Sequence, residues 1–208
     1  MIVVGHGPLR EPMEALLWAL EKGYPDLAMN IVKWGNKFEG SGDQPLRAVQ
    51  AYFSKLRDEG GLDEYFRVAR KYISPEKVIF TGYLTHRELC YLFPASDVAL
   101  FPSIVIEAGP LVFLESMASG CFPLGTYFGG MAASIDSIAG SIPEDVLECM
   151  KLKVDEDLLV EDIIYKTTEA FKVEEKHKLR LCKIAVDKYD CQNISRRLAT
   201  DLYSLNKR

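Results

Sequence analysis

The chain has 208 residues, of which 48% are apolar and 26% charged, with a formal net charge of −5. This is long enough to bury one sizeable core without a disulfide or metal scaffold, and too short for two full-sized domains. The composition excludes a disordered chain, no apolar run is long enough to cross a bilayer, and the acidic balance argues against a nucleic-acid partner.

In chain order, short apolar runs recur at Ile2–Val4, Ala28–Val32, Val78–Phe80, Val98–Phe101 and Phe122–Leu124. Between them lie stretches with helical spacing or helix-start signals. Glu14–Leu20 sets Leu16, Leu17 and Leu20 on one stripe after Pro12, a residue tolerated in a first helical turn. The segment Gly35–Pro45 carries Gly35, Gly40, Gly42 and Pro45, too much punctuation for a regular element, and reads equally as a functional loop or a surface excursion. Thr85-His86-Arg87-Glu88 has the pattern of a capping box opening a short helix that runs to about Phe93. From Leu158 the periodicity is wholly helical, with apolar positions at Leu158, Leu159, Ile163 and Phe171, then Leu179 and Val186, then Ile194, Leu198, Leu202 and Leu205. The expectation is an α/β fold with a Rossmann-like parallel sheet, helices on both faces, and three C-terminal helices packed onto the sheet or its edge. Trp18 and Trp34 are expected in core or edge packing, and Glu174–Lys178 as a solvated helix face.

The five cysteines are odd in number and never closer than nine positions. They read as reduced thiols of a cytoplasmic protein, with Cys121 and Cys182 as small buried hydrophobes. The three histidines, His6, His86 and His177, lie far apart, so no metal site is expected. G-x-S-x-G and a P-loop are absent, and Gly5-His6-Gly7 is half of a dinucleotide fingerprint, with Arg10 where the third glycine belongs. The chain opens directly into a strand-like run, so it is expected to begin inside a longer protein.

Residues 97–120 carry the most information. They read as a buried strand ending at Pro102-Ser103, a loop, and a helix entered near Gly109-Pro110 and ending by Gly120. A helix that starts at the carboxyl end of a parallel strand offers its first N–H groups to a phosphate. Since Pro110 has no N–H, the donors are Leu111 and Val112. Glu115, inside an otherwise apolar helix, is suited to accept from vicinal hydroxyls, and Glu107 in the loop can reach a sugar further out.

Glu107 and Glu115, seven residues apart after Pro-Ser, resemble the E-x7-E signature of retaining glycosyltransferases with two Rossmann-like domains, the glycogen-synthase-like group 1 family. Val78-Ile79-Phe80-Thr81-Gly82 followed by Glu88-Leu89, the turn Gly120-Cys121-Phe122-Pro123, the pair Gly129-Gly130, and Tyr189 through Tyr203 are similar to further segments of that family, in the order of its C-terminal half. The resemblance implies that residues 1–208 form one nucleotide-sugar donor domain of a hexosyltransferase, a UDP-sugar being favoured, with no cofactor and no metal.

It also implies that Glu115 holds the ribose and that Glu107 is the catalytic-site carboxylate, holding the hydroxyls of the transferred sugar. Gly109, Leu111 and Val112 would bind sugar and diphosphate through backbone amides, while Tyr83 and Leu84 would flank the base. Its implied partners are the nucleotide-diphospho-sugar and an N-terminal acceptor domain of the same protein, to which any peripheral membrane contact would belong. The chain departs from the family between the first strand and first helix, where an Arg and a Lys are usual and His6, Arg10 and Glu11-Pro12 stand. Arg10 is thus the one obvious diphosphate cation. Ala133 also stands where a Glu is common. These departures keep open an alternative: a catalytically inactive nucleotide-binding or regulatory module on the same fold.

Overall fold

The computed structural model describes residues 1–40, 42 and 44–205. Where a single core is expected, the chain divides into two compact units, Met1–Thr85 and His86–Arg208, each with its own cluster of buried apolar side chains.

The first unit holds strand β1 (Ile2–Val4), helices α1 (Arg10–Lys22), α2 (Pro25–Trp34), α3 (Arg47–Asp58) and α4 (Leu62–Tyr72), and strand β2 (Ile79–Gly82). The run Ala28–Val32, expected as a strand, lies inside α2. Pro25 sits in the first turn, where its fixed φ favours a helix, and Ala28, Ile31 and Val32 fall three and four apart, so one helical face buries all three. An apolar run this short does not separate strand from helix by content alone. The core is completed by Leu16, Ala19 and Leu20 of α1 and by Phe53 of α3, whose ring meets Tyr65 and Phe66 edge-on at 5.6 Å. Both tryptophans depart from expectation: Trp18 and Trp34 are exposed. Gly35–Glu39 forms a 3-10 helix rather than irregular chain, while Ser41 and Asp43 of that punctuated segment lie outside the described residues.

β1 and β2 pair in parallel, Ile2 opposite Ile79 and Val3 opposite Phe80. Their faces are not fully covered, since Ile2, Val4 and Ile79 are exposed.

The second unit is built on the parallel order β3-β4-β5, with β3 (Val98–Phe101), β4 (Phe122–Thr126) and β5 (Lys151–Leu152). Its helices are α5 (His86–Leu92), α6 (Leu111–Ala118), α7 (Gly129–Asp136), α8 (Glu144–Cys149), α9 (Glu156–Ala170), α10 (Glu175–Tyr189) and α11 (Cys191–Leu205). Every residue of β4 is buried, as a central parallel strand requires. Phe113 and Met117 of α6 and Met131 and Ile135 of α7 join it in one buried cluster, to which α10, packed on α6, adds Leu181 and Ala185. The chain is thus a mixed α/β protein of Rossmann-like character, with parallel strands in two small sheets surrounded by helices.

The three C-terminal helices form where the periodicity places them, but the last does not pack as expected. α11 begins on Asp190, whose carboxylate accepts from the Asn193 N–H at 3.1 Å. It buries no residue, and its stripe Ile194, Leu198, Leu202 and Leu205 is exposed. Cys121 is buried as expected and Cys182 is half-buried; burial pushes the Cys121 thiol up to about 11.

Candidate functional site

The site elements of the second unit meet at the carboxyl ends of β3 and β4. α6 begins at Leu111 behind Pro110 and ends before Gly120, within a residue of the sequence reading. Its start is fixed by packing: the Phe101 ring at the end of β3 meets the Phe113 ring in the first turn of α6 at 5.8 Å. Because Phe113 is fully buried, the N-terminus of α6 is anchored beside the strand end. The Phe113 N–H donates to Pro110 O at 3.1 Å, and Leu111 and Val112 begin the helix, where N–H groups have no partner within it. Both residues are exposed, as is Gly109.

The loop from Pro102 to Gly109 is tied down at two points. Ser103 forms a local turn, its Oγ accepting from the Val105 N–H at 3.4 Å, and its carbonyl accepts from the Thr126 hydroxyl at 2.5 Å. Ser103 therefore acts as a turn residue here. Further along, the Glu107 carbonyl accepts from the Gly130 N–H at 2.8 Å. Gly130, the second residue of α7, lies so close to this loop that a Cβ would stand 2.5 Å from Glu107 O and closer still to the Ala108 carbonyl. Only a residue without a side chain fits there. The far end of α7 is held by the Tyr127 hydroxyl, which donates to the Asp136 carboxylate at 2.8 Å; that bond raises the phenol above its ordinary range. Glu107, half-buried, thus hangs from a loop clamped between β4 and α7.

Glu115, in the second turn of α6, is half-buried, with a side chain 35% exposed. One of its oxygens lies 3.0 Å from Nδ1 of His86, the first residue of α5. Sequence reasoning placed His86 in a capping pattern and missed this contact. No spacing rule links residues 86 and 115, which only the fold brings together.

Three of the residues expected from the sequence, Arg10, Tyr83 and Leu84, belong to the first unit. The Arg10 guanidinium lies over the carboxyl end of β2: its Nη2 donates to Phe80 O at 3.5 Å, and a Cβ on Gly82 would stand 3.0 Å from its Nη1. Its Nε is paired with Glu14 at 2.8 Å. Gly82 has φ +76°, a conformation that glycine alone adopts without strain, and it turns the chain out of β2 into Tyr83 and Leu84. Tyr83 is exposed and Leu84 half-buried. Each unit therefore gathers its own share of the predicted residues: Arg10, Tyr83 and Leu84 in one, Glu107, Gly109, Leu111, Val112 and Glu115 in the other.

Among the described residues, no three His, Cys, Asp or Glu side chains gather where they could hold a metal ion. No described helix is long and apolar enough to cross a membrane.

Residues 57–139 match the sequence model of the family described as glycosyl transferases group 1. The matched segment runs from the end of α3 through α7, so it contains β2, the clamped loop, both glutamates and Gly130, and leaves out Arg10. The chain is similar to that family over this segment, which is less than half of its length. No curated protein and no solved structure matches the chain.

Proposed function

We propose that the chain is the donor-binding part of a glycosyltransferase that takes a hexose from a nucleotide-diphospho-sugar, a UDP-sugar first, and transfers it with retention and without a metal ion. The observation that carries this reading is the family match over residues 57–139, which brackets a helix start and two carboxylates at the carboxyl end of a parallel strand. In this reading Leu111 and Val112 donate to the diphosphate, Glu115 accepts from the ribose, and Glu107 accepts from the sugar. Tyr83 and Leu84 flank the base.

The chemistry follows from charge. As the bond between sugar and phosphate breaks, negative charge grows on the diphosphate, and preorganised donors stabilise it by about 3 kcal/mol per well-placed group. Attack by the acceptor from the face the leaving group departs needs no protein nucleophile. Acceptor recognition falls to a second domain of the same protein, which would also carry any membrane contact, and the whole works in the cytoplasm.

One observation favours a second reading, a nucleotide-binding module without turnover. Arg10, the cation singled out for the diphosphate, is already paired with Glu14. Melting the chain and its Arg10→Ala variant in the presence of UDP, uridine, UDP-glucose, GDP-mannose or NAD tests both. Stabilisation by UDP and UDP-glucose, with Arg10→Ala weakening UDP more than uridine, is the result expected for a donor site with a working cation. Equal weakening of both by Arg10→Ala favours the module without turnover. Stabilisation by NAD alone overturns both readings.

A further inference from the structure

The ion pair between His86 and Glu115 joins two helices at a point where stability gains little from it. The imidazole is 76% exposed, and exposed ion pairs contribute close to nothing to folding. Its effect falls on geometry. A glutamate side chain has three rotatable bonds, and a carboxylate that is to accept from two neighbouring hydroxyls must stand in one orientation. Among the described residues, Glu115 Oε1 meets His86 and Oε2 takes no hydrogen bond, so one oxygen is fixed from the protein side while the other stays open to a ligand.

We propose that His86 is a positioning residue for nucleotide recognition: by holding Oε1 it presets the Glu115 carboxylate for a ribose diol. The inference rests on the reading of Glu115 as the ribose acceptor. Nδ1 can donate to the carboxylate oxygen from the imidazolium and from the neutral tautomer that carries its proton on Nδ1. Ordering the carboxylate before the ligand arrives spares the complex that ordering cost, which corresponds to about three- to tenfold in affinity for one rotamer-rich side chain. The gain is confined to ligands that carry the hydroxyls.

The test is calorimetric titration of the full chain, as parent, His86→Ala and His86→Asn, with UDP and with 2′,3′-dideoxy-UDP. The parent is expected to prefer UDP by about tenfold or more, the loss of two hydrogen bonds to a charged group. His86→Ala should bind the dideoxy compound as the parent does and UDP about threefold or more weakly, so the preference shrinks. His86→Asn should restore it, because the asparagine Nδ2 stands the same number of bonds from the backbone as the histidine Nδ1. A purely structural role would weaken both ligands alike, so an unchanged preference in His86→Ala, or failure of His86→Asn to restore it, overturns the inference and leaves Glu115 as the ribose acceptor. A parent that binds both compounds equally, or neither, overturns the ribose reading itself and the inference with it.

Discussion

Gly130 offers the sharpest test of how the Glu107 loop is held. In the Gly130→Ala variant the new methyl stands 2.5 Å from the Glu107 carbonyl oxygen, where ordinary contact begins at 3.4 Å. The opposing atoms are backbone and cannot swing aside. Loop and helix must part by about 1 Å, which stretches the 2.8 Å hydrogen bond between Gly130 and Glu107 past its useful range. The lost bond costs about 1 kcal/mol and the forced displacement another 1–3 kcal/mol, so destabilisation of about 2–4 kcal/mol follows. At about 2–4 °C per kcal/mol, differential scanning calorimetry should record a fall of roughly 5–15 °C. Gly109→Ala serves as the control, because a Cβ there meets nothing within 4 Å and its φ is unexceptional, so it should stay within about 0.5 kcal/mol of the parent. A Gly130→Ala protein that melts within a degree of the parent, or a Gly109→Ala protein that melts as low as Gly130→Ala, would refute the clamp.

The remaining expectations concern the two cores and the thiols. Phe113 and Phe53 are almost fully buried in different clusters, and truncating either to alanine should cost about 3–5 kcal/mol. Both tryptophans lie in the first unit, so in urea titrations Phe53→Ala should shift the tryptophan-fluorescence midpoint; Phe113→Ala should shift the far-UV circular dichroism while moving the fluorescence far less, and equal fluorescence shifts would contradict separate cores. With the Cys121 thiol held near 11 by burial, the folded protein keeps its proton after the unfolded chain, at about 9, has lost it. Stability should therefore fall as pH rises from about 9 to 11, and Cys121→Ser should flatten that fall. At pH 8 a disulfide reagent should label exposed Cys90 and Cys191 quickly and leave Cys121 and Cys149 unmodified until denaturant is added.

Much of the second unit could be read in the amino acids. The strand ending at Pro102, the helix entered at Pro110 and the C-terminal helices announce themselves by apolar continuity, by proline and glycine at the ends, and by 3.6-residue spacing, all of them local signals. The first unit was less legible. Ala28–Val32 satisfies a strand in content and a helix in spacing, and Pro25 together with the burial of Ala28, Ile31 and Val32 on one face decides for the helix. β5 has two residues, too few to leave a pattern. The division into two cores also escaped a reading based on length, because each unit buries its own apolar set with no break in composition between them. At the site, residue types and spacing pointed to Glu107, Glu115 and the amides of α6. The contacts that orient them, His86 with Glu115 and Gly130 with the Glu107 carbonyl, depend on tertiary proximity and carry no sequence period. α11 shows the opposite case: its amphipathic stripe is plain in the sequence, yet that stripe stays exposed.

The central claim is that the start of α6 grips a diphosphate while Glu115 and Glu107 take the sugars on either side. The most direct measurement is a crystal structure of the chain soaked with a UDP-sugar. Density for the phosphates within hydrogen-bonding distance of the Leu111 and Val112 amides, with Glu115 on the ribose diol and Glu107 on the hexose, is the predicted result. Phosphates bound away from that helix start, or no bound nucleotide at saturating concentration, would contradict it.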